Sequence, residues 1–395
     1  MSDLNISRNA EIPDALRIAR AKASPNLGPR LLFFSGGSAL NGISRRLKAY
    51  THNSAHLITP FDSGGSSQIL RLAFDMPAVG DLRSRLMALA DESDLGQPDI
   101  FALFNHRLPA EASRDELEAE FRALLDGSHK LMRDVFQPMR SLILRPLHAF
   151  AQDMPDGFDL RHASIGNLIL AGGYLTNERA LEPVLFLMSK MVAVQGTVRA
   201  IVDENLQIGA ELADGSHIVG QRNLTGKETA PLSQSIRRVY LSDGEREIDP
   251  RKVRLPKRNR RLIESADLIC YPPGSLFTSV IANLLPQRVG TSIAARSVPK
   301  VYVPSLGTDP ECVGLDLSGQ VAALLSALRR DAGEDCPTGK LLSLVLYDAR
   351  SVEPKAIRDV AADHAVTCVP ADLASADRPD RYDPDRLCDA LVSLT

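Results

Sequence analysis

Apolar positions along the chain alternate between two rhythms. Leu31-Leu32-Phe33-Phe34 is a continuous apolar run, the pattern of a strand buried on both faces. It meets Ser35-Gly36-Gly37-Ser38, after which Ile43, Leu47 and Tyr50 recur at helical spacing with Arg45, Arg46 and Lys48 between them. A second run, His56-Leu57-Ile58-Thr59, enters Pro60-Phe61-Asp62-Ser63-Gly64-Gly65-Ser66-Ser67. Strand, glycine turn, helix, strand and glycine turn in that order predict a βαβ unit within a parallel sheet.

Leu82, Leu86 and Leu89 behind Gly80-Asp81 read as a helix. Residues 91–160 are helix-rich without an evident strand and read as a helical insertion packed on the core. Within them Ser113 and Glu116 form a capping box, Leu117, Phe121, Leu124 and Leu125 one helix face, and Gly127 a stop. Residues 162–194 look helical, with a break at Gly172-Gly173. Between 195 and 245, Val198, Ile201, Val202, Leu206, Ile208, Ile218 and Val219 fall in short segments around Asp214-Gly215, predicting β-hairpins that project from the main sheet. The α/β rhythm returns with strands at Leu268 to Tyr271, Val301 to Val303, Leu341 to Tyr347 and Ala365 to Val369, and helices through Leu276, Val280 and Leu284, through Val321 to Leu328, and through Leu387 to Leu394. Residues 1–29 read as an N-terminal extension and 30–395 as one α/β domain.

Of the 395 residues 44% are hydrophobic and 24% charged, which excludes general disorder. Lys and Arg (46) nearly balance Asp and Glu (49), so no overall polycation for nucleic acid is expected. Between 251 and 261 seven of eleven residues are Lys or Arg; a solvated link is the favoured reading, an anion-binding patch the other. No apolar stretch predicts a membrane span, and the start has no secretory h-region, so a cytoplasmic protein is expected. Five scattered cysteines without a CxxC pair argue against a disulfide framework or a cysteine zinc site.

Chemistry in a parallel sheet belongs beyond the carboxyl ends of the strands. Gly36, Gly37 and Ser38 lead into a helix, whose unpaired N–H groups suit phosphate; a plain tight turn is the alternative. Asp62 through Ser67 place one carboxylate, two glycines (Gly64, Gly65) and three hydroxyls, among them Ser66 and Ser67, at a strand end. Asp62 could hold Mg²⁺, orient an acceptor hydroxyl or cap the next helix. Arg83 could clamp a diphosphate or lie at the surface. Gly274 and Ser275 repeat the phosphate-turn logic, with Ser275 as the N-cap. Asn167 could read a base or ribose edge, and His162 beside it reads as an ordinary histidine.

The ordered blocks GGSALNGISRRL, ITPFDSGGSSQILR, GDLRSRLMALAD, HASIGNLILA and ADLICYPPGSLFTSVIANLL resemble the CofD/YvcK family over about residues 31–305. One branch comprises phospholactate transferases of deazaflavin coenzyme synthesis, the other regulators that bind a UDP-sugar; DSGGSS, GDLR and PPGSLFTS are closer to the second. The resemblance implies a Rossmann-like three-layer sandwich with a mainly parallel sheet. It also implies one site for a nucleoside diphosphate conjugate or nucleotide sugar, and a homodimer. By the same resemblance Asp62 and Arg83 take the catalytic positions, with Mg²⁺ on Asp62. The nucleotide would lie along Gly36, Gly37, Ser38, Asn167, Gly274 and Ser275. Ala39, Ser63 and Pro272 depart from the family pattern, which has glycine, a second aspartate and glycine there. The implied function is transfer of a phosphate-bearing group to a hydroxyl, or ligand-dependent regulation without chemistry.

Overall fold

The computed structural model describes residues 9–93, 96–226 and 231–395. Residues 1–8 of the predicted extension, 94–95 of the insertion and 227–230 of the hairpin region lie outside that range. Seven strands form one parallel sheet: β1 (Leu31–Ser35), β2 (Ala55–Ile58), β3 (Thr197–Ala200), β7 (Leu268–Tyr271), β8 (Lys300–Tyr302), β9 (Leu344–Asp348) and β10 (Thr367–Ala371). Their order is β10-β9-β8-β7-β1-β2-β3. The remaining strands, β4 (Gln207–Leu212), β5 (His217–Val219) and β6 (Ile236–Ser242), make a separate antiparallel sheet in the order β5-β4-β6.

The apolar runs behave as strands covered on both faces. Leu32, Phe34, Ile269 and Tyr271 point to one side, against Val321, Leu325 and Ile293. Leu31, Phe33, Leu268 and Cys270 point to the other, against Ile43, Leu47, Leu387 and Leu391. Because strand side chains alternate, uninterrupted hydrophobicity is what a central layer between two helical layers requires. Beside β2 and β3, helices Gly80–Leu89, Pro98–Asn105, Arg114–Asp126, Met139–Asp153, Ile165–Thr176 and Leu181–Met191 close around Leu86, Phe104, Phe121, Phe150 and Leu168. The Ser113–Glu116 capping box forms, and Gly127 ends its helix at φ +80°. Among the described residues, no helix is long and apolar enough to cross a membrane.

Two expectations are corrected. Gly172 and Gly173 do not break a helix; both lie inside Ile165–Thr176. Their missing side chains let helices touch: a Cβ on Gly172 would sit 1.8 Å from the Pro146 carbonyl oxygen, and one on Gly173 2.4 Å from Val184 Cγ1. Glycine spacing alone does not distinguish a break from a close approach. Gly172→Ala should therefore destabilise the fold by roughly 1–3 kcal/mol or more, because the obstacle is backbone and overpacking outweighs alanine's helix preference. A urea midpoint equal to the parent's would contradict this. The second correction concerns Val198, which belongs to β3, the parallel edge strand of the main sheet, and not to a hairpin. Asp214-Gly215 does turn β4 into β5, with Gly215 at φ +84°.

Candidate functional site

The strand order reverses between β1 and β7: from β7 the chain proceeds outward to β10, from β1 outward to β3. The carboxyl ends of β1 and β7 therefore flank the crevice where open α/β sheets take ligands. Gly36 follows β1, and a side chain there would strike Thr59 Oγ1 at 2.6 Å and Ser279 Oγ at 3.1 Å. Gly274 follows β7 at φ +149°, and a Cβ on it would lie 3.7 Å from that of Ala39. The first and last glycine turns thus adjoin.

The second turn joins them through Gly80 and Asp81. A Cβ on Gly80 would meet Ser67 Oγ at 2.4 Å and Asp62 Oδ2 at 3.7 Å. The next residue, Asp81, accepts the Gly37 N–H at 2.6 Å. Below, the buried Arg85 donates to Ser35 Oγ (2.9 Å), His56 Nδ1 (3.2 Å), Asn41 Oδ1 (3.0 Å) and the Gly37 carbonyl (3.3 Å). The Gly37 residue is consequently held at both its N–H and its carbonyl. Burial, with the Arg85 charge beside it, holds His56 well below the usual histidine range, so the ring is neutral and accepts at Nδ1.

Arg83 is buried and already engaged. Its Nε donates to Asn167 Oδ1 (3.0 Å) and one terminal nitrogen to Asn105 Oδ1 (3.3 Å), while Asn167 Nδ2 donates to Ser66 Oγ (3.2 Å). Burial pulls the guanidinium down to about 10, which still leaves it charged. Arg83 thereby organises Asn167 and Ser66. Asp62 Oδ1 accepts the Gly64 N–H at 3.0 Å, a local turn just ahead of the helix Gly65–Phe74. Arg71, which the sequence did not single out, braces this turn from beneath by donating to the Phe61, Asp62 and Leu206 carbonyls. Ser63 Oγ accepts the Arg222 N–H at 2.8 Å, tying the turn to the short helix Gln221–Thr225.

Ser275 makes no side-chain cap at the helical segment it precedes. Carboxylates from the loop after β8 do that work: Asp309 accepts from Leu276 N–H (2.8 Å), and Glu311 from Phe277 and Thr278 N–H (both 2.9 Å) and from the Thr278 hydroxyl. These amides, expected to face phosphate, are taken by the chain itself. Asp309 and Glu311 escaped notice because the end of β8 carries no glycine-rich signature, although its place in the sheet marks it as a rim position. A cavity of about 210 Å³ opens here, lined by Gly274, Tyr302, Ser305, Thr308, Asp309 and Gln320. The gap beside Ser66 and Asn167 is only about 10 Å³, room for one water. A larger hollow of about 420 Å³, between Ser113 and Arg161, lies in the helical lobe away from the switch point.

Other candidates separate from the rim. His162 is exposed, with φ +57°. In the basic segment, whose second half opens the helix Lys257–Ser265 and is thus no mere link, Arg258 pairs with Glu182 and Asp203, Arg260 with Glu264 and Arg251 with Asp249, so three of its seven basic residues are engaged in ion pairs. Asp348 binds the Leu373 and Ala374 amides and Arg350; these hold it down at about 2 against the upward push of burial, in a structural role.

The family described as 2-phospho-L-lactate transferase CofD matches residues 31–381. The chain belongs to the CofD family. A Bacillus subtilis relative named gluconeogenesis factor is 30% identical over 284 residues, 71% of this chain and 69% of that protein. A Clostridium acetobutylicum relative is 29% identical over 331 residues, 83% of this chain; the match spans 58% of that relative's own length, less than two thirds. A crystal structure of a Bacillus halodurans protein superposes with a TM-score of 0.66 over 92% of this chain and 99% of that one, at 21% identity. That likeness establishes a shared fold alone.

Proposed function

We propose that this CofD-family chain binds a nucleoside diphosphate conjugate in the crevice between the ends of β1 and β7 and transfers its phosphate-bearing group to a hydroxyl acceptor. One observation carries the reading: turns from four distant sequence blocks meet on one rim, through Asp62 and Ser67 at Gly80, Asp81 at Gly37, and Ala39 at Gly274. In the reaction a bond forms from the acceptor oxygen to phosphorus, the bond from phosphorus to the departing nucleotide oxygen breaks, and the hydroxyl proton is released. Asp62 orients that hydroxyl. Asn167, buried and fixed by Arg83, holds the Ser66 hydroxyl in place behind the rim.

Mg²⁺ fits this rim in a restricted way. Asp62 supplies one carboxylate, of which Oδ1 is used on Gly64, and Ser63 stands where a second acid would be. Such a set suits an ion that arrives on its phosphates better than an all-protein cage. When bound, the ion neutralises charge on the diphosphate. Asp62→Ala should abolish turnover, at least a hundredfold, while the thermal shift given by the nucleotide changes little. Undiminished turnover in that variant would remove Asp62 from the reaction.

Regulation without chemistry is the second reading. It is favoured by Arg83, whose guanidinium is spent on two asparagines, and by Ser63, which is spent on Arg222. Nucleotide sugars that raise the melting temperature of the parent, with no product from any hydroxyl acceptor offered, would favour it over transfer.

A further inference from the structure

We propose that His106, Glu120 and His129 form a zinc site in the helical lobe, separate from the nucleotide crevice. The three come from different elements. His106 ends the helix Pro98–Asn105, Glu120 lies midway along Arg114–Asp126, and His129 precedes Lys130–Asp134. Their ligand atoms all lie within 4.8 Å of one another. Glu120 Oε1 is 2.7 Å from His106 Nε2 and 3.7 Å from His129 Nε2. Ligands around tetrahedral zinc, at metal distances of 2.0–2.1 Å, stand about 3.3 Å apart. The two separations bracket that value, so shifts of about half an ångström bring Glu120 to ligand spacing from each imidazole, and the two imidazole nitrogens lie within 4.8 Å of each other.

A plain hydrogen bond accounts for His106 and Glu120 but leaves His129 unexplained. At 3.7 Å its Nε2 is too far from Glu120 to share a proton, and its Nδ1 is buried without a partner among the described residues. His129 is thus a half-buried imidazole with one nitrogen unpartnered and the other turned to a carboxylate just beyond hydrogen-bond reach, the place where a shared cation would join the two. Two imidazoles and one carboxylate select a borderline cation over Mg²⁺ or Ca²⁺, which demand oxygen cages, and three protein ligands leave a fourth position for water. The site would staple three short helical elements. It would also steady the entrance to the rim: the His106 carbonyl accepts the Ile165 N–H at the start of the helix carrying Asn167, and the neighbouring Asn105 holds Arg83.

The test uses the full chain, stripped of metal and titrated with Zn²⁺ against a chromophoric chelator, and with Co²⁺ followed by visible absorption. One equivalent should bind with a Kd of about 1 μM or tighter, and Co²⁺ should give the intense bands of tetrahedral coordination. Glu120→Gln and His129→Gln, checked for fold by circular dichroism, should weaken binding roughly a hundredfold. A parent that takes up no metal at 10-fold the expected Kd, or folded variants that bind as tightly as the parent, would overturn the site. A second measurement needs no variant. Zn²⁺ should protect His106 and His129 from diethyl pyrocarbonate roughly tenfold while leaving the exposed His148 and His162 reactive; equal labelling with and without Zn²⁺ would overturn it as well.

Discussion

Arg85→Met should cost the fold about 3–5 kcal/mol, a drop in melting temperature of roughly 5 °C for a chain this long. The guanidinium is fully buried and bonds Ser35, His56, Asn41 and the Gly37 carbonyl. Removing it leaves those acceptors unsatisfied, and a hydrogen bond to a charged group is worth about 1.5–3 kcal/mol. Methionine fills the space without replacing a single donor. Lysine keeps the charge but loses the fork, so Arg85→Lys should recover only part of the loss. On the proposed reading of the crevice, nucleotide affinity should fall in parallel, because the Gly37 carbonyl then loses the Arg85 donor and its N–H alone stays held, by Asp81. Calorimetry on the three proteins checks the order, and a methionine variant that melts with the parent would show that the network contributes nothing.

The second large effect belongs to Glu311. Burial, with Asp309 alongside, raises its carboxyl to about 7 from an ordinary 4.5, against the opposing pull of the Thr278 and Phe277 donors. The folded state therefore binds the proton more tightly than the unfolded state. The resulting stabilisation is complete below about pH 4.5 and is lost as pH rises through about 7. Glu311→Gln, which keeps an acceptor and cannot ionise, should remove this slope from the stability profile between those limits. Glu311→Ala should cost about 3 kcal/mol at every pH, because two amides and a hydroxyl lose their partner at a site closed to water. A parent profile that does not fall between pH 4.5 and 7 relative to the glutamine variant would refute the assignment.

What could be read in advance was what local chemistry dictates. Leu31 to Phe34 and Leu268 to Tyr271 announce buried strands because no polar position interrupts them, and Ser113 with Glu116 announces a helix start through a contact three residues long. The rim was legible as separate turns at Gly36, Asp62 and Gly274. What those turns touch was not, since Asp81 meets Gly37 across 44 residues and Glu311 meets Thr278 across 33. Arg83 shows the same limit. An arginine beside a glycine turn suggests a clamp open to solvent, and only packing reveals that two asparagines occupy it. Gly172 failed for the converse reason: its neighbour Pro146 lies on another helix, so nothing in the adjacent sequence signals the approach.

The small antiparallel sheet is fastened to the Asp62 turn at several points: Arg71 reaches the Leu206 carbonyl, Gln221 accepts the Ser63 N–H, and Ser63 accepts the Arg222 N–H. Rigid attachments of this kind work in both directions. The Asp62 turn cannot shift as a unit without stretching or breaking these bonds to the flank of the small sheet, so the hinge that a displacement of either part would need is absent at this junction.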